Sequence, residues 1–434
     1  MAVVEVDCRN LKNNPKCPHG PTLKFVKIDK DQKQEFYACS TYRDRKDCSF
    51  YLRVGDKLTD KIKQVWDQER NKLPVVNHEL LEERLQEVRN VLPKERLYCH
   101  SCSELDLATR RANHQSHQVQ TVISDTILSH PSKILRTKEG NKKEAQYLFS
   151  PISTKVIVDN LQRAEVSRVL CIGTPRIHEH IQSMNSGMES LLLDTDHRYH
   201  SFWPCDKFVW FNMFNRHFYS SSPEPKRVLR KFLSGCDRGA LVIDPPFGGH
   251  VDPLTATIKH FSKLYSKKNP ENDLKVLWIF PYFRERHVTQ KLPHLKMLDY
   301  KVEYDNHKDY SSKRKLGSPA RLFTNLDPSQ FVLPESEGYR FCQPCSKWVS
   351  PENNHCKKCN ACTSKNGRTY KHCDECRRCV KPRWQHCNTC RDCLPVDHIC
   401  GSQVLHSPNE NIEPRHKRIR KMKMLMKSKA ENFI

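Results

Sequence analysis

Asp244-Pro245-Pro246-Phe247 follows the apolar run Ala240-Leu241-Val242-Ile243 and precedes Gly248-Gly249. An acid, two prolines and an aromatic at the end of a buried strand make a site for a planar amine or amide. The nitrogen would donate to the Asp244 carboxylate and to the Pro245 carbonyl, whose direction is held because the proline rings fix φ. Phe247 can stack on the flat group. In adenine the lone pair of the exocyclic nitrogen is delocalised into the ring, so desolvated acceptors here would draw that nitrogen toward tetrahedral geometry beside a methyl donor. Asp244, Pro245, Pro246 and Phe247 are the candidate catalytic residues.

These residues need a sheet to hold them. Arg168 to Ile172 reads as a short apolar strand ending in the turn Gly173-Thr174-Pro175, with a helix from about Ile177. Ser190 to Asp194 is a second strand, closed by an acid about 20 residues after Gly173, the distance at which such sheets place a carboxylate on ribose hydroxyls. Phe208 to Asn212, Gly239 to Ile243 and Leu274 to Phe280 follow, and Val302 to Tyr304 with Arg321 to Thr324 are expected to close the sheet. This order resembles the α/β, Rossmann-like fold of class I S-adenosylmethionine-dependent methyltransferases, with the cofactor across strands one and two and the substrate at strand four. A nicotinamide enzyme is the competing use of such a sheet. It would not need Asp-Pro-Pro-Phe after strand four.

The chain has 434 residues, 37% of them hydrophobic, enough for one α/β core plus smaller modules, and a formal net charge of +24. From Arg340 to Ile434 there are 20 Lys and Arg against 8 Asp and Glu, so half the excess lies in the last 95 residues. An excess of this size with interleaved aromatics fits a polyanionic partner, nucleic acid above all. The basic stretch Arg415 to Lys429 alone also fits a solvated or nuclear-targeting run. No apolar run approaches the roughly 20 residues of a membrane span, and the first ten residues do not read as a signal peptide. The expectation is a soluble, intracellular protein.

Without a secretory signal, 21 cysteines point to metal rather than disulfides. Cys17, His19, Cys39 and Cys48 offer three thiolates and an imidazole, a closed tetrahedral zinc set. Their surroundings resemble a GRF-type zinc finger, and the run Arg43 to Lys46 with nearby aromatics suits single-strand contacts. Cys99, Cys102, His114 and His117 are spaced close to a Cys2His2 finger, tight at the histidine end. Between them Leu80, Leu81, Leu85, Val88 and Leu92 recur at helical spacing, a packing stripe. The third cluster starts with Cys342 and Cys345. Three copies of His-Cys-x2-Cys-x2-Cys follow, namely His355, Cys356, Cys359 and Cys362; His372, Cys373, Cys376 and Cys379; His386, Cys387, Cys390 and Cys393; His398 and Cys400 end it. A repeat of 14 to 17 residues has too few apolar side chains to fold without metal, so interleaved zinc sites are expected, with the grouping of ligands left open. Cys376 to Cys400 is also similar to the cysteine-rich core of DHHC palmitoyltransferases. Ile399 between His398 and Cys400 breaks that nucleophile motif.

Taken in order, the finger words Cys17 to Thr22, then Gln146-Tyr147-Leu148-Phe149, Gly173-Thr174-Pro175-Arg176, Asp244 to Gly249, Tyr304 to His307 and Phe323-Thr324-Asn325 resemble one family. It is that of the zinc finger CCHC-domain-containing methyltransferases acting on the adenosine exocyclic nitrogen of large-subunit ribosomal RNA. The CCHC knuckle of that family has no counterpart after Cys400, where no further cysteine occurs. The resemblance implies that Gln146, Tyr147, Leu148 and Phe149 close over S-adenosylmethionine beside Gly173, Thr174 and Pro175. It also implies that Arg176 faces the cofactor carboxylate, Asp194 takes the ribose hydroxyls, and Asn212 and Met213 edge the adenine.

The expected layout is a GRF-type finger at 15–60, a helix and Cys2His2-like finger at 75–130, and a methyltransferase domain at 140–335. A multi-zinc module at 338–402 and a basic tail at 403–434 complete it. The expected activity is N6-adenosine methylation of RNA, in the nucleus and nucleolus and also the cytoplasm, alongside ribosome-biogenesis proteins. Two alternatives stand beside it: a protein lysine methyltransferase, which uses a similar motif, and a catalytically silent RNA-binding zinc protein. The basic excess disfavours lysine, itself cationic, and the intact motif disfavours silence.

Overall fold

The computed structural model describes residues 3–29, 32–42, 44–137, 146–184, 186–220, 222–234, 236–307 and 317–400; Arg43 and the basic tail at 403–434 lie outside them. The chain forms two compact units, one through Tyr370 and one from Lys371.

An eight-stranded sheet organises the first unit. Its strands are β1 (Arg168–Ile172), β2 (Glu189–Asp194), β3 (Phe208–Asn212), β4 (His217–Phe218), β5 (Gly239–Ile243), β6 (Lys275–Pro281), β7 (Lys296–Met297) and β8 (Ala320–Thr324), in the order β4-β3-β2-β1-β5-β6-β8-β7. The five strands from β3 through β6 run parallel, while β4, β8 and β7 pair antiparallel. Parallel strands covered on both faces read as unbroken apolar runs, and every residue of Phe208–Asn212 and Gly239–Ile243 is buried. Two hydrophobic cores result, one on each face of the sheet.

Helix α1 (Pro151–Arg163) begins where Ser150 accepts a hydrogen bond from the Ser153 amide and proline takes the first turn; α2 (Pro175–Ser183) also starts on a proline, directly after the Gly173 turn. One expected strand is absent. Val302 to Tyr304 forms no strand of the sheet: the Val302 amide reaches Ala320 O of β8 at 3.4 Å, but the rest of the stretch pairs with the segment before α1, where Phe149 bridges Tyr304 and the Ser150 amide donates to Glu303 O at 2.9 Å. Lys296–Met297 takes the edge position instead.

The expected modules also fold differently from independent bodies. The helix His78–Arg89 buries Leu85 and Val88 in the same core as one face of the sheet, whereas Leu80 and Leu92 of the expected stripe are exposed. The first carboxyl-terminal ligand set belongs to the same compact unit as the sheet, which runs to Tyr370. Asp299, buried just after β7, accepts from the Ser350 amide at 2.9 Å and Asn353 Nδ2 at 2.7 Å, which pins the hairpin Arg340–Cys342 with Lys347–Val349. The second unit is two hairpins, Lys371–Cys373 with Arg378–Val380 and Trp384–Cys387 with Asp392–Pro395. Among its described residues only Val380, Cys393 and Leu394 are buried apolar side chains.

Candidate active site

The carboxyl ends of β1, β2, β3 and β5 open on a cavity of about 330 Å³. Gly173 turns the chain out of β1 with φ +66°, and its amide donates to Leu193 O at 2.9 Å. A Cβ there would stand 3.0 Å from Met213 Cε and 3.1 Å from the Asp244 carbonyl, so only glycine keeps this backbone open. At the end of β2, Asp194 Oδ1 accepts from the Asp196 amide at 2.9 Å. Asp244 follows β5, anchored by its own amide to Ile172 O at 3.1 Å, and Pro245, Pro246 and Phe247 continue the cavity wall. The Gly249 amide takes Pro246 O at 2.7 Å, which fixes the turn after the motif.

Asp244 receives a hydrogen bond from the Tyr304 hydroxyl, 3.0 Å from its Oδ1. Burial pushes its carboxyl well above the usual carboxylate range, and the tyrosine hydrogen bond works against that rise. Tyr304 is buried at 1% exposure, and its phenol is pushed up by burial and then by the neighbouring Asp244. The rings of Tyr147, Phe247 and Tyr304 gather here with centroids 5.8 to 6.3 Å apart.

The segment from Gln146 to Phe149 is laced to the 303–306 stretch. The Leu148 amide donates to Asn306 Oδ1 at 2.8 Å, the Asp305 amide to Leu148 O at 2.9 Å, and Asn306 Nδ2 to Gln146 O at 2.6 Å. On its other side Gln146 Nε2 donates to Asp196 Oδ2 at 2.7 Å.

Gln146, Tyr147, Leu148, Gly173, Pro175, Asp194, Met213 and the four residues from Asp244 line the cavity, as expected from their order in the chain. Four expected cofactor contacts stand behind the wall. Arg176 donates to Phe149 O at 2.8 Å and pairs with the Asp305 carboxylate, which ties α2 to the strap. Phe149 packs on the Tyr304 ring, and Thr174 is buried at 1% exposure. Asn212 turns the other way: its Nδ2 donates to His19 O at 3.0 Å and Thr41 Oγ1 at 2.8 Å, while its Oδ1 accepts from the Phe214 amide. Asn215 adds bonds to His19 O, Pro21 O and Ser40 Oγ at 2.8 to 2.9 Å. Through these two asparagines the amino-terminal finger is docked on the end of β3, and its His19, Thr41 and Tyr42 form part of the cavity wall. Sequence reasoning missed those three, together with Asp196, Trp210, Tyr219 and Tyr304. Asp196, two residues after Asp194, and the Asn-x2-Asn spacing were the available signals.

The glycine cradle and the paired acids at the end of β2 suit a ligand with ribose hydroxyls and a flat base, so the residues fit S-adenosylmethionine.

The cysteine and histidine sets also come together. Ligand atoms of Cys17, His19, Cys39 and Cys48 lie within 4.8 Å of one another, as do those of Cys99, Cys102, His114 and His117, of Cys342, Cys345, His355 and Cys362, and of Cys373, Cys376, His386 and Cys393. Sulfur to Nδ1 distances of 3.2 to 3.9 Å recur in these sets, close to the ~3.5 Å edge that zinc–sulfur and zinc–nitrogen bond lengths imply for a tetrahedron. His114 Nε2 sits 3.3 Å from the buried Asp106 carboxylate, which orients the ring with Nδ1 toward the cysteines. Cys400 Sγ lies 3.4 Å from Cys387 Sγ and 3.2 Å from His398 Nε2, with Cys390 as a further neighbour of Cys387. His372 Nδ1 is 3.9 Å from Cys379 Sγ; Cys356 ends the strand His355–Cys356 and Cys359 follows in the next turn.

Residues 140–328 match a protein family described as "Probable N6-adenine methyltransferase". The rRNA N(6)-adenosine-methyltransferase ZCCHC4 of Xenopus tropicalis is 43% identical over 355 residues, covering 79% of this chain and 73% of that protein. Its counterpart in Homo sapiens is 42% identical over 358 residues, covering 79% of this chain and 69% of its own length. With identity of this level over 79% of its length, the chain belongs to the family of the rRNA N(6)-adenosine-methyltransferase ZCCHC4.

Proposed function

We propose that this protein methylates the exocyclic nitrogen of an adenosine in RNA, with large-subunit ribosomal RNA as substrate. The observation that carries the reading is Asp244, set after β5, facing the same cavity as Gly173 and Asp194 and flanked by aromatic rings. When bound, S-adenosylmethionine supplies an electrophilic methyl group. The remaining work falls to the chain. Asp244 accepts a hydrogen bond from the adenine amine and turns its lone pair out of the ring plane. Phe247 and Tyr147 hold the extruded base by stacking, worth roughly 1–3 kcal/mol per base, against an unstacking cost of a few kcal/mol. Asp194 is the ribose-binding acid, and Arg176, through Phe149 O and Asp305, holds the strap that closes the cavity.

The four-ligand sets are read as structural zinc sites, each with its ligands supplied by the protein. Phosphate contacts by a chain of net charge +24 account for RNA affinity. An RNA of this kind would be met in the nucleolus and nucleus, in company with ribosome-biogenesis proteins, and in the cytoplasm. Incubation of purified protein with labelled S-adenosylmethionine and total cell extract tests the reading. Label that ribonuclease releases and protease does not, recovered as N6-methyladenosine from large-subunit RNA, is the expected result. Label on lysine refutes it.

A further inference from the structure

Asp244 can accept an amine proton productively only if its carboxylate is ionised and turned toward the base. A carboxylate at the end of a strand has a free torsion about its terminal bond, and a rotation would exchange or misdirect its two oxygens. The structure restrains it from one side. Tyr304 reaches Asp244 Oδ1 at 3.0 Å from a stretch that is itself fixed: its backbone bridges Phe149, its ring is held by Phe149 at 5.3 Å, and the next residue pairs with Arg176. A fully buried hydroxyl on so rigid a mount sets the plane of the carboxylate.

We propose that Tyr304 is a positioning residue for methyl transfer: by occupying Oδ1 of Asp244 it leaves the second carboxylate oxygen directed at the adenine amine. This rests on the reading of Asp244 given above. Its hydroxyl also opposes the effect of burial on that carboxylate and favours the ionised form, the one able to accept the amine proton. Among the described residues the other titratable groups around Asp244 are Tyr147 on the strap, Asp305 and His307 beyond Tyr304, Arg176 on α2, Asp194 on β2 and, across the same cavity, Asp196, His197, Tyr199, Tyr219, His19 and Tyr42. Among the described residues Tyr304 is the one whose side chain hydrogen-bonds Asp244.

The test is Tyr304→Phe in the full-length protein, assayed on deproteinised large-subunit ribosomal RNA across a pH series, with cofactor binding measured by calorimetry. We expect kcat to fall about 10- to 100-fold, as loss of a hydrogen bond to a charged group does, with cofactor Kd and RNA KM within about twofold. The acid limb of the kcat profile should move to higher pH, because without the tyrosine the carboxyl holds its proton longer. An unchanged kcat and acid limb overturn the inference, and so does a parallel loss of cofactor affinity, which would mark Tyr304 as packing alone. If the variant does not fold, 3-fluorotyrosine at position 304 keeps the ring and strengthens the donor. It should then move the acid limb to lower pH, and a limb that stays in place overturns the proposal. Wild-type protein that transfers no methyl group to RNA refutes the underlying reading instead, an outcome separate from any effect of the variant.

Discussion

The sheet and the carboxyl-terminal hairpins are built from the same chain by opposite means. β1, β2, β3 and β5 are buried on both faces, with exposures at or near zero from Val169 to Ile172 and from Ala240 to Ile243. Apolar burial at about 25 cal/mol per Å² is sufficient to hold such an element. The hairpins of the second unit have almost no apolar interior beyond Val380 and Leu394, and their cysteines and histidines gather into ligand sets instead. One region therefore owes its fold to apolar burial, and the other carries the donor sets that a metal would hold. The amino-terminal finger joins the two schemes: its small core is Cys17, Cys39, Cys48 and Phe50, yet its His19 carbonyl is gripped by two asparagines of the hydrophobic sheet. A module built around a metal-ligand set thus supplies part of the wall of a cavity whose floor is held by burial.

Chelation breaks this comparison most severely. Structural zinc contributes about 10–16 kcal/mol per site in small fingers. We expect a strong chelator to abolish amide hydrogen-exchange protection in residues 371–400 while β1, β2 and β5 keep theirs; uniform loss across the sheet would contradict the division. Next in size is Asp244→Ala, expected to lower kcat at least about 100-fold, the scale of losing one preorganised hydrogen-bonding partner. Cofactor affinity by calorimetry should change little, since Gly173 and Asp194 are untouched. Near-normal turnover would remove Asp244 from the chemistry.

A third expectation concerns a buried acid on the hydrophobic side. Glu179 on α2 accepts from the Ser132 amide at 2.7 Å and its hydroxyl at 2.6 Å, and burial, the dominant effect, pushes its carboxyl up to about 7. Because the folded state holds this proton more tightly than the unfolded chain, stability is full below about pH 4.5 and declines as pH rises to about 7, by about 3 kcal/mol. Glu179→Gln should flatten that part of the profile in denaturant titrations at several pH values. A slope equal to wild type would exclude Glu179 as its source. The smallest effect, about 1–3 kcal/mol, is expected for Asn215→Ala, which removes the Asn215 donor to Pro21 O and leaves His19 O to Asn212 alone. Limited proteolysis should then cut residues 3–29 faster while the sheet melts at its usual temperature; equal cleavage rates would show that docking does not depend on this side chain.

Much of this was legible before any coordinates. Apolar runs of five residues ending in Gly173, Asp194, Asn212 and Asp244 specify parallel strands and mark their functional ends, because two-sided burial and loop chemistry are local properties of sequence. Cys-x2-Cys pairs with a later histidine specify metal-ligand sets in the same local way. The edge of the sheet was not legible: Val302 to Tyr304 has the composition of a strand and touches β8 through the Val302 amide, but Glu303 and Tyr304 find their backbone partners about 155 residues earlier, in the strap before α1.

What the sequence determined by itself, then, is the order of the strands, the identity of the acid after β5, and the stock of metal ligands. Only the tertiary structure decided how side chains far apart in the chain are spent. It paired Arg176 with Asp305, turned Asn212 toward the amino-terminal finger, and set the Tyr304 hydroxyl on Asp244. Periodicity and spacing record what each segment must bury or bind. The choice among several chemically adequate partners is made by where the folded backbone brings them within hydrogen-bonding reach.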